Sequence, residues 1–274
     1  MLFRWLRSRK RRQFMAMPMP PAWESYIADE FVHWRWLTPG EKTRLGGITH
    51  AMVRTKHWAG CQGLALTDPM KALIAAQAGL LLLGGKRTYF GNVTSVLVYP
   101  GPYVLPGRGV RKDGQLDTDR AVLGHACSRG PVVLSWPDVL VGARDALDGR
   151  NLVFHEFAHK LDMLDGWIDG TPPLACRDKS REWVATMTPV FEALQRDVAR
   201  GRRTFLNAYA ATSPAEFFAV TTEFFFERPE KLAETHPAVY QALATFYLQD
   251  PAARLAAYRT RKPKRKTRRR RARR

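Results

Sequence analysis

Cysteine is scarce in this 274-residue chain. Cys61, Cys127 and Cys176 stand far apart, are odd in number and form no CxxC pair. A disulfide framework is excluded, and a reducing, cytoplasmic setting is the expectation. Long apolar runs are also missing. The longest, Ala72 to Leu83, is interrupted by Gln77 and ends at Gly84-Gly85, well short of the ~20 residues of a membrane span. Phe14-Met-Ala-Met-Pro-Met-Pro-Pro21 is too short and proline-broken for a signal-peptide core. Acidic residues are absent from both ends. Met1 to Arg12 holds six Lys/Arg and Arg259 to Arg274 holds twelve, which leaves 26 basic against 25 acidic residues between them. The formal charge of +19 therefore belongs to two tails, and the body is near neutral.

The body is globular in composition, with 45% hydrophobic residues. Residues 1–20 read as a basic arm and Met/Pro linker. Residues 21–258 read as one domain, helical to about 90 and catalytic from about 91, and 259–274 as a disordered polybasic tail. Helical spacing covers Trp23 to Trp36 and Thr38 to Val53, the latter opening on a capping box with Pro at its first position. Asp68 to Leu83 reads as a buried helix. Val93 to Tyr99 and Pro131 to Trp136 read as strands, and Pro102 to Arg129 as a long loop. Further helices are expected over Leu147 to Leu164, over Ser180 to Arg200 with Pro189 tolerated or breaking it, and over Ser213 to Glu227 and Pro237 to Gln249. The fold class is α+β, mainly helical, with a small mixed sheet.

The chemistry concentrates at His155-Glu156-Phe157-Ala158-His159. Residues four apart share one face of an α-helix, so both imidazoles can reach one ion. Glu156, one position round, can hydrogen-bond water at that ion and act as general base, the arrangement of a zinc hydrolase. The flanking Leu152, Val153, Phe154, Phe157, Ala158 and Leu161 make this a core helix. Histidines there need partners, which a metal supplies. The third histidine of HExxHxxGxxH is lacking, because Asp165 falls at that spacing.

A third ligand must come from elsewhere, and spacing leaves Glu216 and Glu223 open. They lie seven apart on one face of an aromatic helix. Glu216 could instead close the capping box Ser213-Pro214-Ala215-Glu216. Glu227, near the helix end, reads as solvated. Asp162 could accept the ring N–H of His159 or cap a loop. Val132 to Trp136 could hold an extended peptide at a sheet edge or be an ordinary core strand.

From Leu37 to Leu255 the chain resembles the Mlc titration factor A family of zinc peptidases. Four blocks carry the resemblance: Gly130-Pro-Val-Val-Leu-Ser-Trp-Pro-Asp138, Asn151-Leu-Val-Phe-His-Glu-Phe-Ala-His-Lys-Leu-Asp162, Ala208-Tyr-Ala-Ala-Thr-Ser-Pro-Ala-Glu-Phe-Phe-Ala-Val220 and Phe246-Tyr-Leu-Gln-Asp-Pro251. The resemblance implies a zincin-like aminopeptidase with one zinc, Glu216 as third ligand and Tyr209 assisting catalysis. A similar Tyr and Glu pair occurs in anthrax lethal factor. Glu223 then becomes a candidate for orienting a histidine, or a buried glutamate bonded to backbone. The expected partners are a peptide or protein substrate, or, through sequestration, a Mlc-like repressor. Lys262 to Arg274 could bind a polyanion or simply be solvated. Met1 to Arg7 could lie on a membrane surface as a short amphipathic turn. His33, His50, His57, His125 and His236 show no ligand spacing.

Overall fold

The computed structural model describes residues 9, 10, 12–85, 90–101 and 130–261. The loop expected over 102–129 and the basic stretch 262–274 lie outside the described residues, as does His125.

Helices dominate. In order they are α1 (Pro21–Glu30), α2 (Pro39–Thr55), α3 (Asp68–Leu80), α4 (Trp136–Arg144), α5 (Leu152–Asp162), α6 (Arg177–Ala199), α7 (Pro214–Glu227), α8 (Pro229–Thr235), α9 (Pro237–Tyr247) and α10 (Pro251–Arg261). Short 3₁₀ turns cover Val32–Trp36, Met163–Asp165 and Ala208–Ala211. Proline marks most helix starts: α1 to α4 and α7 to α9 carry one in the first turn. The missing N–H costs nothing there, and the fixed φ is already helical. Pro189, inside α6, does not break it. Pro189 and Ala185, whose carbonyl loses its partner, are both exposed, so solvent can take up that carbonyl.

Among the described residues three strands, β1 (His57–Gly60), β2 (Ser95–Tyr99) and β3 (Val132–Ser135), form a sheet in that order. Both pairings are parallel, with Trp58 opposite Val96 and Val98 opposite Leu134. The small sheet expected from the sequence is present, and its described strands run parallel: α3 returns the chain from β1 to β2 as a crossover, which makes that pair parallel. β1 escapes sequence reading because its four residues are identified only by their pairing.

One continuous cluster of buried apolar side chains runs from Trp23 to Tyr247. At its centre lie α5, through Phe154, Phe157 and Leu161, and α7, through Phe217, Phe218, Phe225 and Phe226. Each is apolar nearly all round, as a helix packed on all sides must be.

Two boundaries shift. Residues 12–16 are helical, and Met15 and Met19 pack on the core. The close approach uses Gly47 of α2, where a Cβ would meet the Met15 carbonyl oxygen at 2.5 Å. The second half of the expected arm is thus part of the folded body. At the other end α10 runs past 258: Arg259 pairs with Glu230 at 2.6 Å and Arg261 donates to the Trp36 carbonyl at 3.1 Å.

Candidate metal centre

The histidine helix starts later than its apolar pattern suggests. Asp145 and Asp148 carboxylates accept the N–H groups of Leu147 and Arg150, and Gly149 takes φ +82°, so 145–150 is a pair of turns. Asn151 then caps α5, its Oδ1 accepting the Phe154 N–H at 3.0 Å. From that start His155 and His159 fall on the buried inner face, while Glu156 is half-buried.

The second element is α7. Ser213 caps it, Oγ accepting the Glu216 N–H at 3.2 Å. In α2 the equivalent Glu41 carboxylate turns back to the Thr38 N–H and closes a capping box. The Glu216 carboxylate instead reaches the imidazoles. Its Oε2 lies 3.0 Å from His155 Nε2 and 3.4 Å from His159 Nε2. The two Nε2 atoms are 3.2 Å apart.

That triangle has the size of a metal site. Bonds of ~2.0–2.1 Å in a tetrahedral arrangement put neighbouring ligand atoms roughly 3.3–3.4 Å apart. Two imidazole nitrogens and one carboxylate oxygen are also a donor set that zinc accepts. The electrostatics agree. Burial alone would lower the His155 pKa, yet hydrogen bonds to Glu216 and Glu223 raise it well above the ordinary histidine value. Burial likewise opposes ionisation of Glu216, but His155 and His159 hold its carboxyl below the usual range. The pocket is built for positive charge.

A model of the family described as glucose-regulated metallo-peptidase M90 matches residues 4–248. The chain belongs to this metallopeptidase family. Among its relatives, Mlc titration factor A of Edwardsiella ictaluri is 39% identical over 221 residues, covering 78% of this chain and 83% of the relative. Mlc titration factor A of Yersinia pestis is 36% identical over 225 residues, covering 80% and 82%. An uncharacterized protein of Synechocystis is 32% identical over 252 residues, covering 90% of each.

The Glu223 carboxylate makes two hydrogen bonds at the start of α5. Oε1 meets His155 Nδ1 at 2.8 Å and Oε2 accepts the Asn151 N–H at 2.6 Å. It thereby fixes the imidazole with Nε2 toward Glu216 and His159. Tyr209 is buried, with its ring centroid 5.9 Å from that of His155. Asn207 Oδ1 accepts the Tyr209 N–H, and Thr212 Oγ1 donates to its carbonyl. Asp162 caps a loop: Oδ2 accepts the Gly170 N–H at 3.0 Å. Burial raises its carboxyl to about 7 against that hydrogen bond. Neither Asp162 Oδ1 nor His159 Nδ1 has a hydrogen-bond partner among the described residues.

Glu227 is a correction. It is fully buried, not solvated, and accepts from Arg150 N at 3.1 Å and Asn151 Nδ2 at 3.2 Å. Burial first, then Asp148, pushes its carboxyl well above the ordinary value. Asn151, which also donates to Gln77 and Gly142, is the residue the sequence reading missed. An Asn directly before an apolar helical run was the available signal. β3 ends the described sheet with Val132 and Leu134 buried. His33 is buried and its Nε2 donates to the Phe226 carbonyl at 3.1 Å. Among the described residues no helix is long and apolar enough to cross a membrane.

Proposed function

We propose that this chain is a zinc-dependent peptidase of the aminopeptidase kind, acting in the cytoplasm with one zinc per chain. His155, His159 and Glu216 would hold the ion. The observation that carries this reading is the triangle of His155 Nε2, His159 Nε2 and Glu216 Oε2, with edges of 3.0, 3.2 and 3.4 Å.

When bound, zinc supplies Lewis acidity that makes water acidic near neutral pH and polarises a carbonyl. Glu156, adjacent to His155 but half-buried, accepts the proton of the attacking water and returns it to the leaving amine. The Tyr209 hydroxyl donates to the oxyanion that develops at the carbonyl. Glu223 keeps His155 Nδ1 occupied, so that Nε2 is free of a proton for the metal.

Hydrolysis of fluorogenic aminoacyl substrates by the full chain tests the reading. Activity should vanish with a chelator and return with stoichiometric zinc. Activity that survives complete removal of the metal would contradict it. A second reading follows from the relatives named Mlc titration factor A: the chain binds a Mlc-like repressor. Glu156→Gln separates the two, because sequestration survives the substitution and hydrolysis does not.

A further inference from the structure

The site draws its ligands from two helices, so its geometry depends on what holds α5 and α7 apart. At one end Glu223 of α7 ties itself to His155 and to the start of α5. Nearer the Glu216 end of α7 a further link runs through Gly170, buried in the loop that follows α5.

Gly170 makes three contacts with three helices. Its N–H donates to Asp162, one turn beyond His159 on α5. Its carbonyl accepts the indole N–H of Trp183 on α6 at 2.9 Å. Trp183 is itself packed against Phe218 of α7, with ring centroids 5.7 Å apart. Finally, the Gly170 α-carbon lies against the first turn of α7. A Cβ there would run into the Pro214 carbonyl oxygen and stand 2.6 Å from its carbon and 3.1 Å from Ala215 N. Its φ of +75° is a conformation that glycine adopts without strain. Pro214 and Ala215 immediately precede Glu216 in the same turn.

We infer that Gly170 is a positioning residue for the metal centre, a spacer that sets the distance between the histidine helix and the Glu216 carboxylate. This rests on the reading of Glu216 as a zinc ligand. A side chain at 170 must displace either the loop or the first turn of α7, and the ligand rides on that turn. Metal sites tolerate such shifts poorly, because ligand distances must hold to within a few tenths of an ångström.

The experiment compares wild-type full chain with Gly170→Ala, each stripped of metal and titrated with zinc against a chromophoric chelator. Melting of the metal-free forms is followed in parallel, together with the visible spectrum of the cobalt-substituted forms. Gly170→Ala should bind zinc at least tenfold more weakly and alter the cobalt spectrum. A lower melting temperature with zinc affinity within twofold of wild type and an unchanged spectrum would overturn the inference, leaving Gly170 a structural residue only. If Gly170→Ala does not fold, Trp183→Phe removes the indole donor without adding bulk at 170, and it should weaken zinc several-fold. Wild-type affinity in Trp183→Phe would then overturn the inference. Failure of the wild-type chain to bind zinc would sink the ligand reading itself, and the inference with it.

Discussion

Replacing Glu223 with Gln changes only one atom and one charge, yet it should disable the metal site. The carboxylate serves two donors at once, His155 Nδ1 at 2.8 Å and the Asn151 N–H at 2.6 Å. An amide has one acceptor oxygen. If its NH₂ faces Asn151, two buried donors meet at the start of α5. If it faces His155, the imidazole must accept at Nδ1 and carry its proton on Nε2, the nitrogen that faces Glu216 and His159. Leaving a buried group unsatisfied costs ~1–3 kcal/mol. Loss of such an orienting partner typically weakens metal binding by about 10–100-fold, and the two estimates coincide at roughly 1.4 kcal/mol per tenfold. Zinc titration of the metal-free variant against a chromophoric chelator measures it. Affinity within about threefold of wild type would refute the claim that Glu223 orients His155.

Three further outcomes follow from the same geometry. Glu216→Ala should abolish tight zinc binding and leave the α7 cap in place, since Ser213 Oγ accepts the backbone N–H of residue 216; normal zinc binding would remove Glu216 from the ligand set. Tyr209→Phe should leave zinc bound and lower kcat by about 100–1000-fold, the range for losing one oxyanion donor, and an unchanged kcat would remove the hydroxyl from the mechanism. His33 titrates at about 3 because burial disfavours its charge. Its folded pKa lies below the unfolded 6.5, so the stability of the neutral form is full above about 6.5 and is lost as pH falls toward 3, worth up to roughly 5 kcal/mol. Unfolding free energy of wild type should therefore drop between pH 6.5 and 4 more steeply than that of His33→Gln; equal slopes would contradict the burial of a neutral imidazole.

The histidine pair was legible in the sequence because its geometry is local: residues i and i+4 of any helix share a face. The choice between Glu216 and Glu223 was not, because it depends on how α7 packs on α5. Both glutamates turn out to reach His155, from opposite ring nitrogens. Glu227 misled because the end of a helix is usually solvated, whereas α8 begins at Pro229, with only Arg228 between. Most of the longer helices were readable from proline starts and apolar runs, whereas α8 and α10 were not called. α4 was hidden behind β3, since Trp136 ends one pattern and begins the other. The late start of α5 was written in Asp145, Asp148 and Gly149, turn residues that the apolar run around them obscured.

The central claim is that one metal, held by His155, His159 and Glu216, serves peptide hydrolysis through Glu156. In the proposed mechanism Glu156 handles the proton without holding the ion. Metal analysis and peptide hydrolysis measured together on wild type and Glu156→Gln test the claim most directly. Both proteins should carry one zinc per chain, and the variant should lose nearly all turnover. Zinc absent from the wild type, or hydrolysis undiminished in the variant, would contradict the account.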